Sequence, residues 1–301
     1  MMNKFINLVK KVPNFLNKKF LSFPTLQFLM KTKNQSLKNI YINFWILISK
    51  RKILFKKFFF SKCSITNKKN VFSFDIKERI ENIDNEKYLE SLKENGIIIL
   101  ENALTDKDHK VIIENFNNIL TEKSKNYRAN ESLIKYFEIF DISNFRSLKL
   151  ISDYFTKNIY GKVLDTEAEF HVHKCLKFPE KIEPGDNNMH LDRFLPNMKI
   201  LYSPFEINME GAPFCYAIGS HKINDEYINF VKSSKTYNES EAEASFFLKK
   251  KIEVVCKSNS IIVALTSGFH GRKSFESEAE RKLVFLQYHK SFNKISLLFG
   301  K

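Results

Sequence analysis

The chain has 301 residues, 43% of them hydrophobic and 28% charged, with a formal net charge of +15 and a pI near 9.4. That length supports one large core or two small ones. Residues 1–70 hold 16 Lys and Arg and no Asp or Glu, which leaves 33 basic and 34 acidic residues in 71–301. The basic pI therefore belongs to an N-terminal arm and excludes a nucleic-acid footprint spread over the whole chain. Cys63, Cys175, Cys215 and Cys256 are scattered without a Cys-x-x-Cys pair. This argues against a disulfide framework or zinc ribbon and for reduced thiols in a reducing, cytoplasmic compartment.

Residues 1–74 form the basic, Lys- and Phe-rich extension, read as helical. Its longest apolar run is 40–49, bounded by Lys38 and by Lys50, Arg51 and Lys52. Ten residues are too few for a membrane span, which needs roughly 20. Three readings stay open. One is peripheral contact of residues 1–70 with an anionic membrane. The second is organelle import by a transit peptide. The third is helical decoration packed on the domain, with a solvated lysine face.

The composition changes at Asp75. Residues 77–95 have helical spacing of Ile80, Ile83, Tyr88, Leu89 and Leu92, and Gly96 fits the stop. Residues 97–100 read as a short buried strand. Thr105 is placed to cap a helix running to about residue 123. Residues 131–160 read as one or two more helices ending near Gly161, so 75–165 is expected to be a helical layer. From 166 to 290 the pattern is that of strands: 167–178, 198–207, 212–218, 252–256, 260–266 and 282–289. Between them lie a turn-rich loop at 180–188 and a polar insertion at 224–250. Short strands with Gly and Asn turns predict a mainly β core in an α+β domain: a double-stranded β-helix, or cupin-like jelly roll, with flanking helices.

The chemistry-bearing residues fall between 189 and 281. In His190-Leu191-Asp192, strand alternation puts the first and third side chains on one side. His270 follows an apolar strand and is flanked by Gly268 and Gly271. Two His and one carboxylate make a facial metal triad with the opposite face open, the ligand set of non-haem ferrous oxygenases. Arg281, eleven residues after His270, suits a buried dicarboxylate through bidentate pairing. Its plainer reading is a strand-edge salt bridge with Glu278 or Glu280. Lys199, a charge in an apolar strand, is a second cofactor-binding candidate; Arg193, Arg272 and Lys174 are weaker candidates for an anionic substrate. His171 and His173 alternate on one strand and either line the pocket or form a two-His cupin site in place of the triad. His221 is read as a structural residue in its turn.

The segments Gly-Asp-Asn-Asn-Met-His-Leu-Asp-Arg-Phe (185–194), Tyr-Ala-Ile-Gly-Ser-His-Lys (216–222) and Gly-Phe-His-Gly-Arg (268–272), followed by Arg281, resemble the phytanoyl-CoA dioxygenase family over roughly residues 90–290. The resemblance implies Fe(II) on His190, Asp192 and His270, and 2-oxoglutarate on Arg281. It implies hydroxylation of a small-molecule substrate, organic or lipid-linked, with release of succinate and CO2, by a domain spanning 75–301. Asp192 sets the chain apart from related halogenases, which lack that carboxylate. Leu191 and Arg272 depart from the family's usual polar and small polar residues. The rival is an inactive jelly-roll binding module targeted by its basic arm. Nucleic acid is disfavoured as a partner because the region after residue 70 lacks a basic-aromatic platform.

Overall fold

A computed structural model describes residues 35–51, 53–61, 71–73, 86–121, 127–129, 133–175, 189–192, 196–233, 250–273, 275 and 278–288. Eleven strands, numbered in chain order, lie in two sheets among these residues. The major sheet runs β1 (Val71–Ser73), β2 (Ile97–Glu101), β9 (Ser260–Ala264), β6 (Lys199–Ser203), β11 (Glu280–Gln287), β5 (Glu167–Cys175), β4 (Leu133–Phe140) and β3 (Tyr127–Ala129). The minor sheet runs β10 (His270–Arg272), β7 (Phe214–Ala217) and β8 (Lys251–Val254). All pairings are antiparallel except β1 with β2. This is a jelly-roll core with helices on one side.

Strand alternation divides the major sheet into two faces. Ile98 and Leu100, Ile200 and Tyr202, Ile261 and Val263, Phe170 and Val172, and Val284 and Leu286 face the helices and form the larger apolar core with them. Their neighbours Ile97, Ile99, Leu201, Ile262, Ala264 and Leu283 face the minor sheet, where they meet Phe214, Tyr216 and Val254. The second core is the space between the sheets, and every candidate site residue on a major-sheet strand is placed by this parity.

The helices are α1 (Gln35–Arg51), α2 (Ile53–Phe59), α3 (Glu86–Asn95), α4 (Asp106–Thr121), α5 (Arg146–Tyr160) and α6 (Asp225–Ser233). Gly96 ends α3 at φ +80, its N–H bonded to Leu92 O at 2.8 Å. A Cβ there would lie 2.3 Å from both His221 Nδ1 and Tyr216 Oη, so only glycine fits between the helix and the minor sheet. Thr105 caps α4 as its sequence position implies, with Asp108 N–H donating to Thr105 Oγ1 at 3.3 Å. Gly161 closes α5 by an N–H bond to Lys157 O at 2.9 Å.

Two expectations change. Residues 133–140 are a strand, not helix: β4 pairs along its length with β5, and its aromatic and β-branched side chains suit a pleated surface. The layer 75–165 therefore also contains β2, β3 and β4. The second concerns the domain boundary drawn at 74/75: it does not divide the packing of residues 35–61, which agree with the third reading, helices packed on the domain. Ile42, Trp45 and Ile46 of α1 and Phe55, Phe58 and Phe59 of α2 are buried in the larger core. Lys222 Nζ donates to Phe58 O (3.1 Å) and Ser61 Oγ (2.7 Å) at the end of α2, where a cation suits the helix dipole. No helix among the described residues is long and apolar enough to cross a membrane. Residues 1–34, the loop 180–188 and Arg193 lie outside the described residues.

Candidate metal centre

His190 and His270 face each other as an isolated antiparallel bridge. His190 N–H donates to His270 O at 2.8 Å and His270 N–H to His190 O at 3.0 Å. A directly opposed pair puts both side chains on one side, and the ring centroids are 4.7 Å apart. Asp192 joins them from two residues on, while Met189 and Leu191 are buried in the larger core. Asp192 Oδ1 lies 3.4 Å from His270 Nε2 and 3.8 Å from His190 Nε2. Among the described residues this is the group whose ligand atoms, all within 4.8 Å of one another, suit a metal.

The donor set fits a divalent transition metal. Two donors each about 2.1 Å from an ion and at right angles stand roughly 3 Å apart, so the two spacings to Asp192 Oδ1, 3.4 and 3.8 Å, would close by less than an ångström around an ion. His270, 2% exposed, is oriented by a bond between Nδ1 and Gly268 O at 2.9 Å. A carbonyl only accepts, so Nδ1 carries the proton and Nε2 presents its lone pair to the centre. Gly268 is required by close approach: a Cβ would lie 2.3 Å from Tyr216 Oη and 2.8 Å from Ser220 Oγ. Burial alone would raise the Asp192 pKa, but without a metal ion the His270 ring, when protonated, and the Lys199 ammonium outweigh it and hold the carboxyl well below its usual range. Asp192 is an anion at neutral pH.

Lys199 points into the space between the sheets. Its Nζ is 3.0 Å from Asp192 Oδ1, 2.8 Å from Oδ2 and 3.3 Å from His270 Nε2. Arg281 is buried and also faces that space. Its Nη1 donates to Ala212 O at 2.8 Å and its Nη2 to His173 Nδ1 at 3.0 Å. The strand-edge salt bridge does not form: Glu280 turns the other way and takes Lys174 and Lys282. Leu286 pairs with Ile200, so Arg281 stands about six residues along the sheet from the level of Lys199, roughly 20 Å of backbone. Arg281 and the triad thus share one interior without touching.

Arg272 is buried on β10, directed inward beside Phe214 by its register and stacked over Phe275 at 5.2 Å. Lys174 is a correction. It lies on the opposite face of β5 from His173, half-buried and paired with Glu280 at 3.2 Å, and points away from the interior. The two-His site does not form either. His171 pairs with Glu169 at 3.0 Å and stacks on Phe285, while His173 accepts from Arg281. Burial, then the charges of Arg281 and Arg272, keep His173 neutral by lowering its pKa well below the usual value. Sequence reasoning missed His173 as the support of Arg281; its alternation opposite an arginine strand was the available signal.

His221 has the structural place expected of it: fully buried, it meets Lys93 O through Nε2 at 3.0 Å. The Gly-Ser-His-Lys turn acts on the centre indirectly. Ser220 Oγ accepts the Phe269 N–H at 2.8 Å, and Ala217 N–H donates to Phe269 O at 2.9 Å. Both backbone polar groups of Phe269, the residue before His270, are gripped. A cavity of about 190 Å³ is lined by Arg281 together with Ser203, Ile207, Gly211 and Lys282 among others. It excludes the triad and is smaller than the roughly 300 Å³ at which ligand pockets begin.

A scan against protein-family models finds no match, and a search of curated proteins finds none either. Solved structures with a similar chain path include the epimerase SnoN in complex with Fe3+, alpha ketoglutarate and nogalamycin RO, at 9% identity and TM-score 0.48, covering 67% of this chain and 81% of that one. HygX from Streptomyces hygroscopicus with nickel and 2-oxoglutarate bound is 14% identical, with TM-score 0.42 and coverage of 67% and 85%. EctD from S. alaskensis with bound Fe is 14% identical, with TM-score 0.44 and coverage of 74% and 78%. At these values no residue role is transferred from them, and the site stands on the geometry of this chain.

Proposed function

We propose that the protein is an Fe(II)- and 2-oxoglutarate-dependent oxygenase of the phytanoyl-CoA dioxygenase kind, hydroxylating a small organic or lipid-linked molecule. The observation that carries the reading is the convergence of His190, Asp192 and His270, from segments about 80 residues apart, on one point with ligand atoms within 4.8 Å. A ferrous ion with 2-oxoglutarate supplies dioxygen activation there, coupled to oxidative decarboxylation to succinate and CO2.

The chain's own residues supply the rest. His190, Asp192 and His270 would hold the ion and would leave room on it for the co-substrate and oxygen. Gly268 O fixes the His270 tautomer, so the ion meets a lone pair and not a proton. Arg281 faces the same interior and would take the far carboxylate of 2-oxoglutarate, the long arginine side chain and the co-substrate together spanning the offset along the sheet. Ala212 O and His173 each engage one of its five N–H donors and set the plane of the guanidinium. His173 does this as a neutral acceptor, adding no positive charge to the pocket. Phe214, Leu201 and Leu283 wall the interior and exclude water, which strengthens every ionic contact inside it.

The test is anaerobic. Purified protein with Fe(II) and 2-oxoglutarate should show the visible charge-transfer band of a chelated 2-oxo acid, and Asp192→Ala should abolish it. Wild-type protein that gives no band under these conditions refutes the reading.

A further inference from the structure

Lys199 opens β6, and strand alternation turns its side chain inward with Leu201 and Ser203. Its contact with Asp192 is an ordinary ion pair. Its contact with His270 is not ordinary for a metal ligand. In the neutral imidazole that a metal ion requires, the proton is committed at Nδ1 to Gly268 O, so Nε2 has one lone pair. The lone pair can accept an N–H from Lys199, 3.3 Å away, or be donated to a metal ion, but not both. Asp192 Oδ1, the oxygen within 3.4 Å of His270 Nε2, is also within 3.0 Å of the ammonium. Two of the three metal donors are therefore shared with a cation fixed to the chain.

We propose that Lys199 is a tethered competitor for the metal, and that the dicarboxylate co-substrate draws it off, so that metal and 2-oxoglutarate load cooperatively. The proposal rests on the metal reading above. When the ion takes His270 Nε2 and Asp192 Oδ1, the ammonium keeps Asp192 Oδ2, from which it stands 2.8 Å, and gives up the imidazole. One of its three N–H donors is then released beside a dication. An incoming dianion neutralises that repulsion by pairing with both charges, so each ligand favours the other by the same factor. Lys199 is a positioning residue in this scheme and takes no part in bond making. The competing role is that of a strut, which holds Asp192 in place and helps the metal.

The affinity of the full chain for Mn2+, which takes the same N and O donors without redox chemistry, separates the two roles. It is measured by equilibrium dialysis with and without 2-oxoglutarate for wild type, Lys199→Met and Lys199→Gln, each checked for an unchanged melting profile. A unit and a double charge about 5 Å apart repel, even at the dielectric of water, by enough to change affinity roughly tenfold. Both variants should bind Mn2+ roughly tenfold more tightly without co-substrate, and the gain that 2-oxoglutarate brings should shrink in both. The glutamine variant keeps a donor for Asp192. Unchanged affinity with glutamine and weaker affinity with methionine would establish the strut and overturn the competitor. Tighter binding with an undiminished 2-oxoglutarate gain would overturn the cooperative loading. Absence of Mn2+ binding in wild type and both variants would overturn the metal reading itself.

Discussion

Ser220→Ala tests how the second motif supports the metal centre. Ser220 is 4% exposed, its Oγ accepts the Phe269 N–H at 2.8 Å, and it donates to Ala217 O at 2.6 Å. The substitution removes one oxygen and leaves the volume almost unchanged, so no cavity term enters. Ala217 O keeps a second donor, the Ser220 N–H at 3.1 Å. Phe269 N–H, which does not share that carbonyl, loses the Ser220 Oγ acceptor in the buried interior. That costs about 1–3 kcal/mol. At roughly 2–4 °C per kcal/mol for a chain of this order of size, the melting temperature should fall by about 2–12 °C. Urea melts should show a lower midpoint at an unchanged slope, since the surface exposed on unfolding is the same. Because Phe269 precedes His270, Mn2+ affinity should fall with stability. A loss under about 0.5 kcal/mol, within the range of ordinary surface substitutions, would refute the claim that this hydroxyl pins the segment.

Three further outcomes follow from other contacts. His173→Leu removes the acceptor of Arg281 Nη2, so 2-oxoglutarate titrations should show binding weakened about tenfold or more, while His173→Gln, which keeps an acceptor, recovers most of it. Equal binding by the leucine variant would separate His173 from the anchor. Asp192 has its folded-state pKa depressed, so its contribution is fully present above the unfolded value of about 3.9 and is lost as pH falls below it. In metal-stripped protein, the stability gap between wild type and Asp192→Asn should be widest near neutrality and narrow below about pH 4, read by urea melts across pH; a pH-independent gap contradicts the sign. Trp45→Ala, at a side chain 3% exposed, should cost about 3–5 kcal/mol, whereas Ile53→Ala, at a residue 84% exposed, should stay within about 0.5 kcal/mol. Equal effects would mean that α1 is not part of the core.

The jelly-roll strands were legible where one face is buried, because alternation then survives in the sequence. Residues 167–175, 199–203 and 260–264 are of this kind. Residues 133–140 were not legible. Leu-Ile-Lys-Tyr-Phe-Glu-Ile-Phe satisfies a helical spacing nearly as well as an alternating one, and the deciding partner, β5, lies more than 30 residues on. The basic arm left three readings open for a related reason. Sixteen cations and no acids describe how residues 1–70 meet solvent, not what their apolar side chains touch. Trp45, Phe55, Phe58 and Phe59 answer to a core whose other half is built from residues 88–288, and no local window contains both sides.

The site divides along the same line. His-x-Asp is readable because two ligands on one side of an extended segment is a property of three consecutive residues. Lys174 was misplaced because sequence shows that residues on β5 alternate but not which set looks inward. A shift of one position exchanges His173 for Lys174. The structure settles the parity through a long-range pair: Arg281 opposes His173, and its guanidinium reaches that imidazole at 3.0 Å. Once that pair is fixed, Lys174 must face out to Glu280, and Glu169, His171 and His173 must face in. Lys199 follows by the same reasoning on β6, because Leu201 and Ile262 lie in the inter-sheet core and Lys199 shares their face. What remained hidden was the competition at His270. It depends on which imidazole nitrogen holds the proton, and that is decided by a carbonyl two residues back, Gly268 O, whose direction is set by the Ser220 turn 48 residues earlier.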